Sequence, residues 1–240
     1  MFKKRSQQSV IDEWQRYQAQ QAIACANPIL QRFYQMPLTD PEVPLSEVSF
    51  MALDFETTGL DPRYNEIVSF GLVPFTLRSI RPSDGYYQVV KPKCNLSEEA
   101  IAFHRITHSQ VATAPPLEKV LDELLERLSG CIVVVHYQHI ERPFLDLACH
   151  KLWGEHCLFP LVDTMAIEAR WERRGWKNQL KETLGIQPVS IRLDDSRQRY
   201  GLPTYSAHHA KVDAMATAEL FLAQVARHYS PTTAIGQLWE

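Results

Sequence analysis

The 240-residue sequence contains no run of eighteen or more apolar residues, so nothing in it reads as a membrane span. A secretory leader is not expected either: the basic start Met-Phe-Lys-Lys-Arg runs into Ser-Gln-Gln-Ser, not into an apolar stretch. The five cysteines, Cys25, Cys94, Cys131, Cys149 and Cys157, are odd in number, far apart, and form no C-x-x-C pair. That argues against a disulfide framework and a cysteine zinc site, and suits reduced thiols in a cytoplasm. There is no basic excess, since 25 Lys and Arg against 28 Asp and Glu leave a net charge of −3. Affinity for long nucleic acid comes largely from neutralised phosphates, so a long basic groove is not expected. A local basic patch stays compatible with that balance, because net charge says nothing about distribution. No internal repeat and no low-complexity tract is present. What is there, 45% hydrophobic and 22% charged residues, suits one sizeable globular domain with an extension.

Residues 1–48 read as that extension. Ile11, Trp14, Tyr17, Ala22 and Ile23 fall at helical spacing, a second short helix starts at Pro28, and Pro37, Pro41 and Pro44 then read as a tether. The aromatics Trp14, Tyr17, Phe33 and Tyr34 suit packing on the main domain; a homodimer contact or a substrate lid is the other reading. From residue 49 to 240 the pattern changes. Strands are expected over 49–56, 66–74 and 86–90, with connections short enough for antiparallel neighbours. Ser97 and Glu99 mark a short helix over 98–103. Leu117, Val120, Leu121, Leu124, Leu125 and Leu128 form one helical stripe, stopped by Gly130. The unbroken apolar run over 131–135 fits a buried parallel strand, with 136–142 as its exit loop. Helices are expected over 144–153, 164–173, 178–184 and 210–229, a short strand over 158–162, and a polar loop over 192–207. Strands followed by strand–helix alternation indicate an α/β domain with a mixed sheet flanked by helices. Sites in such sheets gather at the carboxyl ends of the strands.

At one such end the sequence reads Asp54-Phe55-Glu56-Thr57-Thr58-Gly59. Side chains two apart on a strand share a face, so Asp54 and Glu56 stand together while Phe55 turns into the core. Two like charges side by side are costly unless a cation is shared between them. Taken alone, the pair reads more readily as solvated acids on an exposed edge strand than as a metal site.

This segment resembles the first motif of the DnaQ-like 3′–5′ exonucleases. His208-His209-Ala210-Lys211-Val212-Asp213 resembles the last motif of the DEDDh subclass, a His five residues before an Asp. Five residues rotate a helix by roughly 140°, so the two cannot share a helical face, and His208 belongs in the loop before the helix. His209 competes by adjacency; the family spacing selects His208. Between these motifs the family has an Asp shortly before a helix. Aligned on the buried strand and on Phe144-Leu145, this chain has Glu141 there, and Tyr137 where an Asn is common. Glu141 could instead pair with Arg142, and Asp146 is a nearby stand-in. Ala102-Phe103-His104-Arg105-Ile106-Thr107 is similar to the family's H-G-I-T segment, with Arg105 replacing the Gly. Asp163-Thr164 is similar to its D-T, with Asp163 read as a helix N-cap.

The resemblance covers about residues 49–228. It implies a ribonuclease H-like fold with a mixed five-stranded-type sheet, and phosphodiester hydrolysis from a 3′ end with two Mg²⁺ or Mn²⁺ ions. In that picture Asp54 bridges both ions, Glu56 and Asp213 hold one, Glu141 supports the other, and His208 takes the proton from water. Thr57 and Thr58 would meet the terminal 3′ hydroxyl, and Phe103, His104 and Tyr137 are candidates to stack on bases. The near-neutral charge favours short single-stranded oligonucleotides, DNA slightly before RNA, and within the family some members finish off dinucleotides. The altered middle motif keeps open a polymerase-associated module with weakened catalysis, and an oligoribonuclease-like RNA-degrading enzyme.

Overall fold

The computed structural model describes residues 6–94, 98–173, 187–206 and 208–240. The side chains of Glu99 and Phe103, the cap residue Ser97 and the helix expected over 178–184 lie outside the described residues. The chain opens with α1 (Gln7–Ala24) and α2 (Pro28–Gln35), the second capped by Asn27, whose side chain accepts from the amides of Ile29 and Leu30. Then come β1 (Phe50–Thr57), β2 (Ile67–Thr76), β3 (Ser79–Ile80) and β4 (Tyr86–Val89). They are followed by α3 (Glu98–His104), α4 (His108–Thr113), α5 (Leu121–Leu128), β5 (Ile132–Val135) and α6 (Glu141–Trp153). The chain closes with β6 (Leu161–Asp163), α7 (Thr164–Glu172), α8 (Leu193–Arg199) and α9 (Ala210–His228).

The six strands make one mixed sheet in the order β3-β2-β1-β5-β6, with β4 pairing β2 as well. β1 and β2 are antiparallel, while β1, β5 and β6 run parallel. Because β3 meets β2 at Phe75 and Thr76 and β4 meets it from Ser69 to Leu72, the two share one edge, so the sheet is five rows wide. Alternation in β1 sorts the core into two halves. Met51, Leu53 and Phe55 join α2, α5 and α6 on one side. Phe50 and Ala52 join α9 and the C-terminal residues Leu238 and Trp239 on the other. β5, sandwiched on both faces, is buried throughout.

Residues 6–48 take part in this packing. Leu30 and Tyr34 are fully buried beside α5, and Ile11 lies in the opposite half with Trp239. The proline segment is hydrogen-bonded to the chain's far end, Leu45 N–H to the Thr233 carbonyl at 2.9 Å and Ser46 N–H to that of Pro231 at 2.9 Å. Trp14 Nε1–H donates to the Glu240 carbonyl at 3.0 Å. Proline ended the helical pattern as expected, but burial of neighbours such as Leu45 holds the segment down. Three elements differ from the expectation. The stripe over 117–128 begins as a 3-10 turn (Leu117–Lys119) before α5. Glu141 opens α6 and does not belong to the exit loop. The polar stretch over 192–207 contains α8, anchored by Arg197, whose guanidinium is buried against the carbonyls of Ala216 and Pro203 and the Glu219 carboxylate.

Candidate active site

On the α9 side of β1 the alternation that buries Phe50 and Ala52 carries on to Asp54 and Glu56, at the strand's carboxyl end. The sheet register sets Asp54 opposite Gly71 and Glu56 opposite Ser69 on β2, and Gly71 in turn opposite Tyr87 on β4. Gly71 decides how close α9 can come. A β-carbon built there would meet the Lys211 backbone nitrogen at 2.2 Å and the Ala210 carbonyl carbon at 2.3 Å. With hydrogen in that place, the first turn of α9 lies directly on the sheet and carries Asp213 to the acids of β1. Ligand oxygens of Asp54, Glu56 and Asp213 all lie within 4.8 Å of one another.

The loop before α9 is tied to the same group. Helix α9 starts at Ala210 with His209 as its N-cap residue, so His208 stands outside the helix, at φ +69°. The amides of His208 and His209 both donate to Asp213 Oδ2, at 2.8 and 3.2 Å. The His209 ring stacks on Tyr87 with centroids 4.3 Å apart and planes 26° apart. Tyr87 thus braces the loop from the sheet, a role that no motif in the sequence signals. Gly71 carries one signal in the sequence, a lone glycine inside an apolar strand pattern, a mark of close backbone approach.

Glu141 approaches from the opposite direction, at the start of α6. It is 3% exposed, its Oε2 has no hydrogen-bond partner, and it stands outside the close group of three. Its charge nevertheless acts on Asp54, after that of Glu56. The alternative pairing with Arg142 is not made: that guanidinium donates to Gln138 Oε1, to the Phe159 carbonyl at 3.2 Å and to the Glu240 carbonyl at 2.9 Å. Asp146 serves the loop after α6, accepting from the Cys157 amide at 2.9 Å and contacting His156 at 3.0 Å. Asp163 caps α7 through the Met165 amide at 2.8 Å, as its position before Thr164 suggested. It also accepts from the amides of Tyr137 and Gln138, at 2.9 and 3.0 Å, which shapes the loop that delivers Glu141. His136 is partly buried between Thr164 Oγ1 at 2.8 Å and the Ile191 carbonyl at 3.1 Å, and desolvation pulls its pKa down to about 4.

The remaining candidates divide. Tyr137 is exposed at φ +87°, edge-on to His139. His104 is 3% exposed, so its ring has no open face for a base; Nδ1 accepts from the Ile106 amide at 3.1 Å and Nε2 is buried without a partner. Burial, and then the charge of His208, lower its pKa. Thr58 is committed to the β1–β2 turn, its amide donating to the Glu66 carbonyl at 3.0 Å and its hydroxyl to Asn65 Oδ1 at 3.1 Å. The Thr57 hydroxyl donates to the Gly59 carbonyl at 2.7 Å. Phe103 lies on α3, its side chain outside the described ones.

The acids raise one another's pKa values, as carboxylates that could share a cation do. Burial and then the charges of Glu56, Glu141 and Asp213 push the Asp54 carboxyl well above the usual range. Burial and then Asp213 push Glu56 up to about 8. Asp213 is raised by burial despite the two amides that oppose it. Burial also raises Glu141. Like charges gathered this closely are stabilised by a shared cation. An all-oxygen donor set with one unpartnered buried carboxylate oxygen fits Mg²⁺ or Mn²⁺ better than zinc.

Comparison with known proteins agrees with this geometry. The exonuclease family model RNase_T matches residues 51–221. A stretch of the DNA polymerase III PolC-type protein of Thermotoga maritima is 32% identical over 176 residues, 73% of this chain and 12% of that protein. The PolC-type protein of Staphylococcus aureus is 27% identical over 184 residues, 77% of this chain and 12% of its own length. The chain therefore spans about an eighth of these curated relatives. Among solved structures, the nuclease domain of 3′hExo, described as a DEDDh family member bound to rAMP, superposes with a TM-score of 0.61 at 18% identity, covering 75% of this chain and 92% of that one. Escherichia coli exonuclease I in complex with a dT13 oligonucleotide gives 0.59 at 15%, covering 77% and 42%. Identities this low speak for the shared fold alone. The family match, by contrast, takes in well over half of the residues, from the strand that bears Asp54 to the helix that bears Asp213, and the chain belongs to the DnaQ-like exonuclease family.

Proposed function

We propose that the chain is a metal-dependent 3′–5′ exonuclease that shortens single-stranded nucleic acid and releases nucleoside 5′-monophosphates. The observation that carries this reading is the convergence of Asp54, Glu56 and Asp213 within 4.8 Å, with buried Glu141 beside them. Asp54, Glu56 and Asp213 would hold one or two divalent ions, with Glu141 completing the cradle. Such ions supply charge neutralisation at the phosphate and a more acidic water. His208, on its loop at the edge of the acids, accepts a proton from the attacking water, a task suited to imidazole near neutral pH. Thr57 bounds the 3′ end of the strand. Tyr137, exposed on the other rim, offers a face to a base. Short substrates, with DNA before RNA, accord with the absence of a basic excess and with relatives that are DNA polymerases by name. We take residues 49–240 as the exonuclease domain after an extension of 1–48, a division supported on its N-terminal side by a family match that begins at residue 51.

A length series of DNA and RNA oligonucleotides at fixed salt, with Mg²⁺ or Mn²⁺, tests the substrate. The expected result is stepwise loss from the 3′ end with little gain in rate beyond a few nucleotides. A rate that climbs steadily with length would count against short substrates.

A second reading has its own support. The PolC-type relatives are far longer than this chain, and the matched stretch lies within a polymerase. A proofreading module that works beside a polymerase accords with this. It predicts faster removal of a mismatched than of a paired 3′ end on primed DNA; equal rates would set it aside.

Tyr87 provides an expectation inside the site. Tyr87→Ala should lower kcat about tenfold, roughly the 1.4 kcal/mol that a lost aromatic pair can cost, with KM little changed. Tyr87→Phe keeps the stack and should keep the rate. An equal loss in both variants would move the effect from the ring to the hydroxyl, which lies within the field of Glu56.

A further inference from the structure

Arg105 follows α3 with φ +58°, in the left-handed region that favours glycine. A side chain kept in such a conformation costs stability, and an outlier of this kind beside a site invites a functional explanation. The guanidinium reaches across to the segment that leads into α9, where Nη1–H donates to Ser206 Oγ at 3.2 Å. Ser206 lies two residues before His208, and two residues of chain reach at most about 7 Å. Among the described residues no carboxylate lies within ion-pair distance of Arg105, whereas Arg63, Arg127 and Arg199 each hold one. Arg105 and Ser206 are both exposed, so the remaining donors of the guanidinium face solvent next to the catalytic loop. Arginine carries five N–H donors in a planar fork that matches a phosphate in two-point contact, and only one is spent on Ser206.

We propose that Arg105, oriented by Ser206, binds a backbone phosphate of the substrate strand one nucleotide upstream of the phosphate that is cleaved. This rests on the exonuclease reading above. The acids take the scissile phosphate and His208 borders it, so Ser206 and Arg105 lie one step further along the strand. Arg105 also supplies a cation beside the loop that leads to Asp213, in a site whose acids would otherwise repel nucleic acid. It serves as a local basic contact in a chain with a net charge of −3.

The test uses Arg105→Gly and Arg105→Lys with an eight-nucleotide oligothymidylate as substrate and dTMP as inhibitor. Glycine removes the fork and relieves the backbone. For Arg105→Gly, KM should rise about tenfold, as for a lost charge-assisted contact, with the loss falling on KM and not on kcat. Inhibition by dTMP, which has no upstream phosphate, should not change. The slope of log affinity against log salt should fall by about 0.7, the value of one phosphate contact on a single strand. The thermal midpoint should stay level or rise. Arg105→Lys restores the charge without the fork and should recover part of the affinity. An Arg105→Gly protein with wild-type KM and salt slope overturns the proposal. So does one with a lowered melting point and lost kcat, which would make Arg105 structural. Binding of the same strand in Ca²⁺, read by fluorescence anisotropy, separates the two claims. Arg105-dependent binding without cleavage contradicts only the exonuclease reading; neither binding nor cleavage contradicts both.

Discussion

Asp54→Asn is expected to slow hydrolysis on the order of a thousandfold while making the metal-free protein harder to unfold. Both effects come from the same crowding of charge. Asp54 has Glu56, Glu141 and Asp213 as neighbours, each raising its pKa after burial has done so. In a nuclease this arrangement binds cations. Removing the central carboxylate should cost on the order of 10³-fold in rate, about 4 kcal/mol of transition-state stabilisation. In EDTA the same change relieves repulsion, and for a protein of this size each kcal/mol relieved raises Tm by roughly 2–4 °C. The pH dependence has a definite sign. Glu56 titrates near 8 in the folded protein against an ordinary 4.5. Between those values the folded form holds more protons than the unfolded chain, so its stability falls as pH rises. That contribution is fully present below about 4.5 and is lost as pH passes about 8. In EDTA, Tm should therefore decline across this window, and saturating Mg²⁺ should flatten the decline. A flat profile in EDTA, or an active Asp54→Asn enzyme, would show that the acids do not act as a cation site.

Gly71→Ala is the second change with a large expected effect, although Gly71 touches no substrate. The added methyl would sit 2.2 Å from the Lys211 nitrogen, against backbone that cannot swing aside as a flexible side chain would. Either α9 lifts or the sheet bends. Overpacking of this kind costs about 1–3 kcal/mol. Because Asp213 is on the first turn of α9 and its Oδ2 holds the His208 and His209 amides, a lift also opens the acid group and moves the catalytic loop. Misplacement by about 1 Å can cost roughly 10² in rate. The expected Gly71→Ala protein is folded by circular dichroism, melts lower, and has lost at least that factor in kcat. Near-wild-type activity would mean that the approach of α9 does not set the site.

The parts of this account that were readable from the residues are those with short-range causes. Alternation over β1 places Asp54 and Glu56 on one face and Phe55 on the other, and the structure follows it. The spacing of His208 and Asp213 puts the histidine before the helix, where it lies. The leucine stripe of α5 is periodic and buried. What was hidden depends on partners distant in sequence. Helix α8, LDDSRQR, has one apolar residue and reads as loop; Arg197 and Arg199 hold it to α9 and α7 through Glu219 and Glu168. β3 is two residues long, too short to show a period. The proline segment reads as a tether in the sequence because its anchors, Thr233 and Pro231, lie at the other end of the chain. Burial of His104, which removes it as a stacking surface, is likewise a tertiary outcome that its motif does not encode.

The central claim is that the acids of β1 and α9 form a cation-dependent site for hydrolysis from a 3′ end. Its most direct test follows a 5′-labelled single strand on a sequencing gel with Mn²⁺ present. The account predicts a ladder that shortens from the 3′ end by single nucleotides, disappears in EDTA, and is absent with Asp213→Asn. A strand that stays intact at every length, or one whose cleavage survives EDTA, would contradict it.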